Sequence, residues 1–374
     1  MTLSALTSAN FQTRASTGIA GLDTVLQGGL TPNRVYLVEG SPGAGKTTLA
    51  LQFLLEGVAR GEKGLYITLA ETSFELNAVA ESHGWDLSPL AIFELIDEDG
   101  LDPDATQSIL HPAEVELGET IKKIMACVEQ VGAQRIAFDS LSELRLLAQN
   151  PLRYRRQILT LKHFFAQRNS TVMLLDDRTS ETGDVHLHSI AHGVISLDAT
   201  VQEFGSERRN LRVVKLRGVK YQGGYHDFNI EQGGLRVFPR LVAAQHHRPF
   251  EPTPATTGTP RLDDLLGGGL VPGTNMLLMG PSGVGKTTTA VSCCYAALQR
   301  GQRVAYYLFD EGVATLVARA AALGMDLQPF MHSGQLELMQ IDPAELSPGE
   351  FANRVCTGVN AHENTMVVID SLNA

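Results

Sequence analysis

The motif G-x-x-x-x-G-K-[ST] occurs twice in this chain. It reads Gly40-Ser41-Pro42-Gly43-Ala44-Gly45-Lys46-Thr47-Thr48 in one place and Gly280-Pro281-Ser282-Gly283-Val284-Gly285-Lys286-Thr287-Thr288 in the other. Such a loop lets successive backbone N–H groups converge on phosphate oxygens, provided a strand leads into it and a helix leads out. An apolar run precedes each copy (Val35–Val38 and Met276–Met279), and a helical pattern follows each. A strand is therefore expected before both loops, and two nucleotide-binding domains are expected in tandem.

The repetition extends beyond the loops. Thr17-Gly18, Leu22-Asp23, Leu26 and Gly28-Gly29-Leu30 recur as Thr257-Gly258, Leu262-Asp263, Leu266 and Gly268-Gly269-Leu270, at the 240-residue offset that also separates Lys46 from Lys286. After each P-loop helix comes a glycine (Gly61, Gly301) and a strand pattern (Leu65–Leu69, Val304–Phe309). A second helix then runs to Gly84-Trp85-Asp86-Leu87 or Gly324-Met325-Asp326-Leu327. Strands alternating with helices in this way predict an α/β fold, a mostly parallel sheet with helices on both faces.

Each copy then has an apolar strand ending in Asp-Ser, at Asp139-Ser140 and Asp370-Ser371, now 231 residues apart. The extra residues of the first copy are placed in a surface loop near Asp97–Ala113, rich in Asp, Pro and Gly. Beyond Asp139 the first copy continues with a basic helix (Leu152–Arg168) and strands at Thr171–Leu175, Gly193–Leu197, Leu211–Leu216 and His226–Ile230. Beyond Asp370 only four residues follow, so the second copy is expected to be cut short. The expected organisation is a tail (1–16), a first domain (17–239), a linker (240–256) and a second domain (257–374). The linker carries Pro249, Pro252, Pro254 and His246-His247, two histidines without further ligands.

Composition narrows the class. Of 374 residues, 43% are hydrophobic and 19% charged, as in ordinary globular chains. A net charge of −11 argues against broad electrostatic binding of nucleic acid. The polar N-terminus has no apolar signal core and no stretch of about 18 apolar residues occurs, so a cytoplasmic protein with no membrane span is expected. The four cysteines, Cys127, Cys293, Cys294 and Cys356, form no C-x-x-C pair and read as buried small residues. Asp184-Val-His186-Leu-His188-Ser-Ile-Ala-His192 has the look of a metal set, but histidines without cysteine partners more often do polar or packing work.

The motifs assign chemistry. Lys46 and Lys286 are expected to neutralise the β- and γ-phosphates of ATP. Thr47 and Thr287 are expected on Mg²⁺, with Asp139 and Asp370 as its strand-end partners. A group that orients the attacking water belongs at the end of the strand after the P-loop helix. There the first copy has Ala70-Glu71 and the second has Asp310-Glu311.

These segments, with Lys215-Leu216-Arg217-Gly218, resemble the KaiC family of RecA-like P-loop ATPases over nearly all of residues 14–374. The resemblance implies two RecA-like domains, rings that are usually hexamers, and ATP held between neighbouring subunits. It implies that Lys215 and Arg217 act on a neighbour's nucleotide. The family usually has two adjacent glutamates where Ala70-Glu71 and Asp310-Glu311 stand here, and a histidine where Tyr221 stands. Its autophosphorylation sites lie in the later half of the second domain, so autokinase activity maps onto no residue here. The reading is a clock-type or signalling ring ATPase with protein partners. A DNA-dependent recombinase or helicase would want a basic, glycine-rich loop after Leu175, and Asp176-Asp177-Arg178 with Glu181 and Asp184 is acid-leaning. A non-hydrolysing ATP-binding scaffold is the third reading.

Overall fold

The structure, a computed structural model, describes residues 14–95, 112–148, 150–178, 185–243, 253–361 and 365–371. Most of the polar tail, the Asp97–His111 part of the expected surface loop, Asp184, and His246-His247 with Pro249 and Pro252 lie outside the described residues. The chain divides into two compact units, residues 1–203 with 207–240 and residues 204–206 with 241–374.

In the first unit a short helix α1 (Ala20–Val25) leads to strand β1 (Val35–Gly40), helix α2 (Lys46–Ala59), β2 (Gly64–Thr68), α3 (Ser73–Ser82) and β3 (Ala91–Glu94). Then come α4 (Pro112–Val131), β4 (Arg135–Asp139), α5 (Leu141–Ala148), α6 (Pro151–Gln167), β5 (Thr171–Asp177) and α7 (Val185–Ile190). Four strands close the unit: β6 (Gly193–Thr200), β7 (Arg208–Leu216), β8 (Tyr225–Glu231) and β9 (Gly234–Phe238). They form one nine-stranded sheet in the order β3-β2-β4-β5-β1-β6-β7-β8-β9. The pairs from β3 to β6 are parallel and those from β6 to β9 antiparallel.

Side-chain alternation along β1 explains why every one of its residues is buried. Tyr36 and Val38 face a core containing Leu49, Phe53 and Leu22, while Val35 and Leu37 face a second core containing Ile124, Leu144 and Phe165. A strand covered on both faces reads as a continuous apolar run rather than an alternating one. The repeated Thr-Gly-x-x-x-Leu-Asp block has a local cause. Asp23 Oδ1 accepts hydrogen bonds from the Thr17 N–H (2.9 Å) and Thr17 hydroxyl (2.8 Å). Asp263 Oδ1 accepts the equivalent pair from Thr257, both at 2.7 Å.

The second unit has α8 (Pro260–Leu265), α9 (Lys286–Gln299), β10 (Arg303–Leu308), α10 (Val313–Ala322), α11 (Gln328–His332), β11 (Leu336–Gln340), α12 (Pro348–Ala361) and β12 (Thr365–Asp370). Its parallel sheet has the order β11-β10-β12. Val304, Tyr306 and Leu308 face α9 and α10, while Ala305 and Tyr307 face Phe351 and Val355 of α12.

One expectation is corrected. Met276–Met279 lies in no strand, and Leu277 and Met279 are 64% and 83% exposed. The reason is sheet order. In the first unit β1 does not touch β2 or β4. It is held between β5 and β6, which come later in the chain than β4. Among the described residues no strand pairs with Met276–Met279, and the second unit's sheet consists of β11, β10 and β12.

Candidate active site

The first P-loop crosses from the C-terminal end of β1 to the start of α2, the position where open α/β sheets hold ligands. Gly45 precedes α2 with φ of 97°, in the left-handed region, and a Cβ added there would lie 2.8 Å from Ile230 Cδ1. Gly40 is needed for closeness: a Cβ on it would stand 2.5 Å from the Leu197 carbonyl oxygen. Lys46 and Thr48 are buried, Ala44 is fully buried, and Pro42 and Gly43 form the exposed tip.

The Lys46 ammonium donates to the carbonyls of Gly40 (3.1 Å) and Ser41 (3.0 Å) and pairs with Asp177 Oδ1 at 2.7 Å. The Thr47 hydroxyl donates to Asp139 Oδ2 at 3.3 Å, and the Tyr66 hydroxyl donates to the same oxygen at 2.5 Å. Burial raises the Asp139 carboxyl above its ordinary pKa, against the hydrogen bonds from Tyr66 and Thr47 and the charge of Lys46. A buried, hydrogen-bonded carboxylate oriented by its neighbours suits a cation partner.

Glu71 is set by the strand end before it. The Thr68 hydroxyl donates to the Glu71 carbonyl (2.8 Å) and accepts from the Glu71 N–H (2.9 Å). Thr72 then caps α3 in a reciprocal box with Glu75. Glu71 Oε2 is buried and has no hydrogen-bond partner among the described residues. Its pKa is raised, first by burial and then by the charges of Asp139, Glu75 and Asp177. A carboxylate with a free lone pair and a raised pKa has the character of a general base. Lys46, Thr47, Asp139 and Glu71 thus meet at one end of the sheet.

Lys215 and Arg217 do not join them. Lys215 pairs with Val194 on β6, and Arg217 N–H bonds to the His192 carbonyl, which places both near the start of β1. Arg217, level with Val35, is about 17 Å along the strand from Gly40 at roughly 3.3 Å per residue. Lys215 donates to the His188 carbonyl, and Arg217 to that of Ser189 at 2.7 Å. Neither reaches the P-loop of its own chain. Of the histidine cluster, His188 Nε2 lies 2.7 Å from Glu39 Oε2 and His192 meets Tyr36 edge-on; among the described residues no group of three metal-ligating side chains assembles.

The second loop keeps the cradle with fewer neighbours. Gly283 and Gly285 have φ of 76° and 99°, matching Gly43 and Gly45. Lys286 donates to the carbonyls of Gly280 (2.8 Å) and Pro281 (3.0 Å). The loop is open, with Val284 61% exposed, where Ala44 is fully buried in the first unit. Tyr306 donates to Asp370 Oδ2 (2.9 Å), as Tyr66 does to Asp139. Glu311 is held by Arg319 at 2.6 Å, and Asp310 accepts from the Ser371 hydroxyl at 2.7 Å. Thr287 and Thr288 open α9 as Thr47 and Thr48 open α2.

Sequence reasoning missed two residues of the first site. Tyr66 was within reach, because Tyr306 repeats it at the 240-residue offset. Asp177 was not, because its neighbourhood depends on strand order.

A doubly wound sheet with a P-loop at its switch point and an acidic strand end beside it defines a RecA-like P-loop ATPase fold. The family model described as "ATPase: KaiC" matches residues 15–242 and 255–374. The circadian clock protein KaiC2 of Synechocystis sp. is 30% identical over 368 residues, covering 96% of this chain and 63% of that protein. The circadian clock oscillator proteins KaiC of Parathermosynechococcus lividus and Synechococcus elongatus are 28% and 27% identical, covering 96% of this chain and 67% and 69% of theirs. This chain belongs to the KaiC family of ATPases, and it spans about two-thirds of the length of these relatives. No helix among the described residues is long and apolar enough to cross a membrane.

Proposed function

We propose that the chain is an ATP-hydrolysing regulatory protein whose working site is the first P-loop. The carrying observation is the convergence of Lys46, Thr47, Asp139 and Glu71. Gly40 to Thr48 hold the phosphates, and Lys46 neutralises their charge. Thr47 and Asp139 fit Mg²⁺, a hydroxyl and a carboxylate already within hydrogen-bond distance. The ion, when bound, would supply neutralisation of phosphate charge. Glu71, with its open lone pair, orients the attacking water and takes its proton. Lys215 and Arg217 serve the nucleotide of a neighbouring copy, since they lie far from their own. A ring, hexameric by family resemblance, brings them to it.

The second site, from Gly280 to Thr288 with Asp370, binds nucleotide without efficient hydrolysis. Its Glu311 is engaged by Arg319, and Asp310 by Ser371. The output is conformational signalling to protein partners of the kind that clock-type relatives suggest, from a protein working in the cytoplasm. Native mass spectrometry with and without ATP, coupled to phosphate release, tests this. Assembly with ATP and turnover that collapses in Glu71→Gln are expected. A chain that stays monomeric overturns the trans roles, unchanged turnover in Glu71→Gln favours a scaffold, and turnover driven by single-stranded DNA favours a recombinase.

A further inference from the structure

We propose that Asp177 is a specificity-determining residue of the first site, a carboxylate that occupies Lys46 and selects magnesium-complexed nucleotide over the free anion. The proposal rests on Lys46 being the phosphate ligand.

The placement of Asp177 is a consequence of topology. β5 lies between β4 and β1, and the register sets Asp177 against Gly40, the first residue of the P-loop. The strand end is fixed on both sides. The Arg178 N–H donates to the Gly40 carbonyl (3.0 Å), and the Asp177 N–H to the Ser142 hydroxyl (3.3 Å). From this position Asp177 Oδ1 reaches the Lys46 ammonium at 2.7 Å. An ammonium has three protons. Gly40, Ser41 and Asp177 take all three of those on Lys46. A phosphate that is to use this lysine must displace at least one of them, and the carboxylate is the one held by charge.

Asp177 also adds a negative charge to a site already holding Glu71 and Asp139, and its field is felt at both. A free nucleoside diphosphate carries about three negative charges and the magnesium complex about one, so repulsion from the extra carboxylate weighs more on the free anion. Among the described residues Lys286 has its two carbonyls and no carboxylate within ion-pair distance.

The experiment uses the full chain carrying Lys286→Ala, so that binding reports on the first site. The probe is a fluorescent ADP, titrated with magnesium and with chelator. Asp177→Asn is expected to tighten binding of free ADP on the order of tenfold, the typical worth of a hydrogen bond to a charged group. The magnesium complex should gain less, and Asp177→Glu should stay within about twofold of the parent, by restoring the charge. Asp177→Ser serves as a second neutral variant, and thermal unfolding checks that each is folded. Unchanged or weaker binding of free ADP in folded Asp177→Asn and Asp177→Ser overturns the proposal. If Lys46→Ala binds as tightly as the parent, the underlying reading of Lys46 fails instead.

Discussion

The two P-loops are nearly the same text with unequal surroundings. In the first unit the loop hangs from a strand clamped between β5 and β6, with Lys46 and Thr48 buried. In the second the same loop follows an apolar run that joins no sheet, and all residues from 276 to 284 are exposed. The difference teaches that a phosphate cradle is local, written in three glycines, a lysine and a threonine, whereas a catalytic site is a property of the sheet. Asp139, Glu71 and Asp177 come from the ends of β4, β2 and β5, and only strand order puts them around Lys46.

Four measurements can break or sharpen this contrast. The largest effect is expected from Arg217→Ala, which should lower ATP turnover about a thousandfold, as loss of an arginine finger does. Mixing it with Lys46→Ala subunits should restore part of the activity, because each supplies what the other lacks. Failure of the mixture to recover would contradict the action of Arg217 on a neighbour's nucleotide. Next is stability. Leu37→Ala removes a side chain that is 1% exposed and should destabilise the first unit by about 3 kcal/mol. Leu277→Ala, at the equivalent position of the second copy, is 64% exposed and should change chemical denaturation by no more than about 0.5 kcal/mol.

Third, Glu71→Gln should cost about a hundredfold in turnover, the usual share of a general base. Glu311→Gln should leave turnover within about twofold, since that carboxylate is engaged by Arg319. The smallest effect is in pH. Burial raises the Glu71 carboxyl, so its proton comes on at a higher pH than for an ordinary glutamate. The base is active when deprotonated. The kcat/KM for ATP should therefore fall as pH drops through that raised value, about tenfold per unit, with a midpoint above the ordinary 4.3 or so. Glu71→Gln should lose this acid limb, and a limb that persists in it belongs to another group.

Much of this was legible in the sequence, for identifiable reasons. Lys46, Thr47, Lys286 and Thr287 are bound to their loops by covalent spacing, and the strand ends at Asp139 and Asp370 follow from apolar runs that stop at an acid. The basic helix expected at Leu152–Arg168 is α6, Pro151–Gln167; its cap, Asn150 accepting from the Leu152 N–H at 2.8 Å, comes from the structure. What stayed hidden depends on partners distant in the chain. Asp177 reads as one more acid at a strand end until the register sets it beside Gly40, 137 residues away. Met276–Met279 reads as a strand because apolarity is local, but a strand exists only where another pairs with it. The position of Lys215 and Arg217 at the far end of β1 follows from the antiparallel return of β7, which no motif announces.

The central claim is that the first P-loop does the work. Phosphate release from the full chain carrying Lys46→Ala or Lys286→Ala tests it most directly. The account predicts that Lys46→Ala abolishes ATP hydrolysis while Lys286→Ala retains most of it. Equal losses in the two variants, or a greater loss in Lys286→Ala, would contradict it.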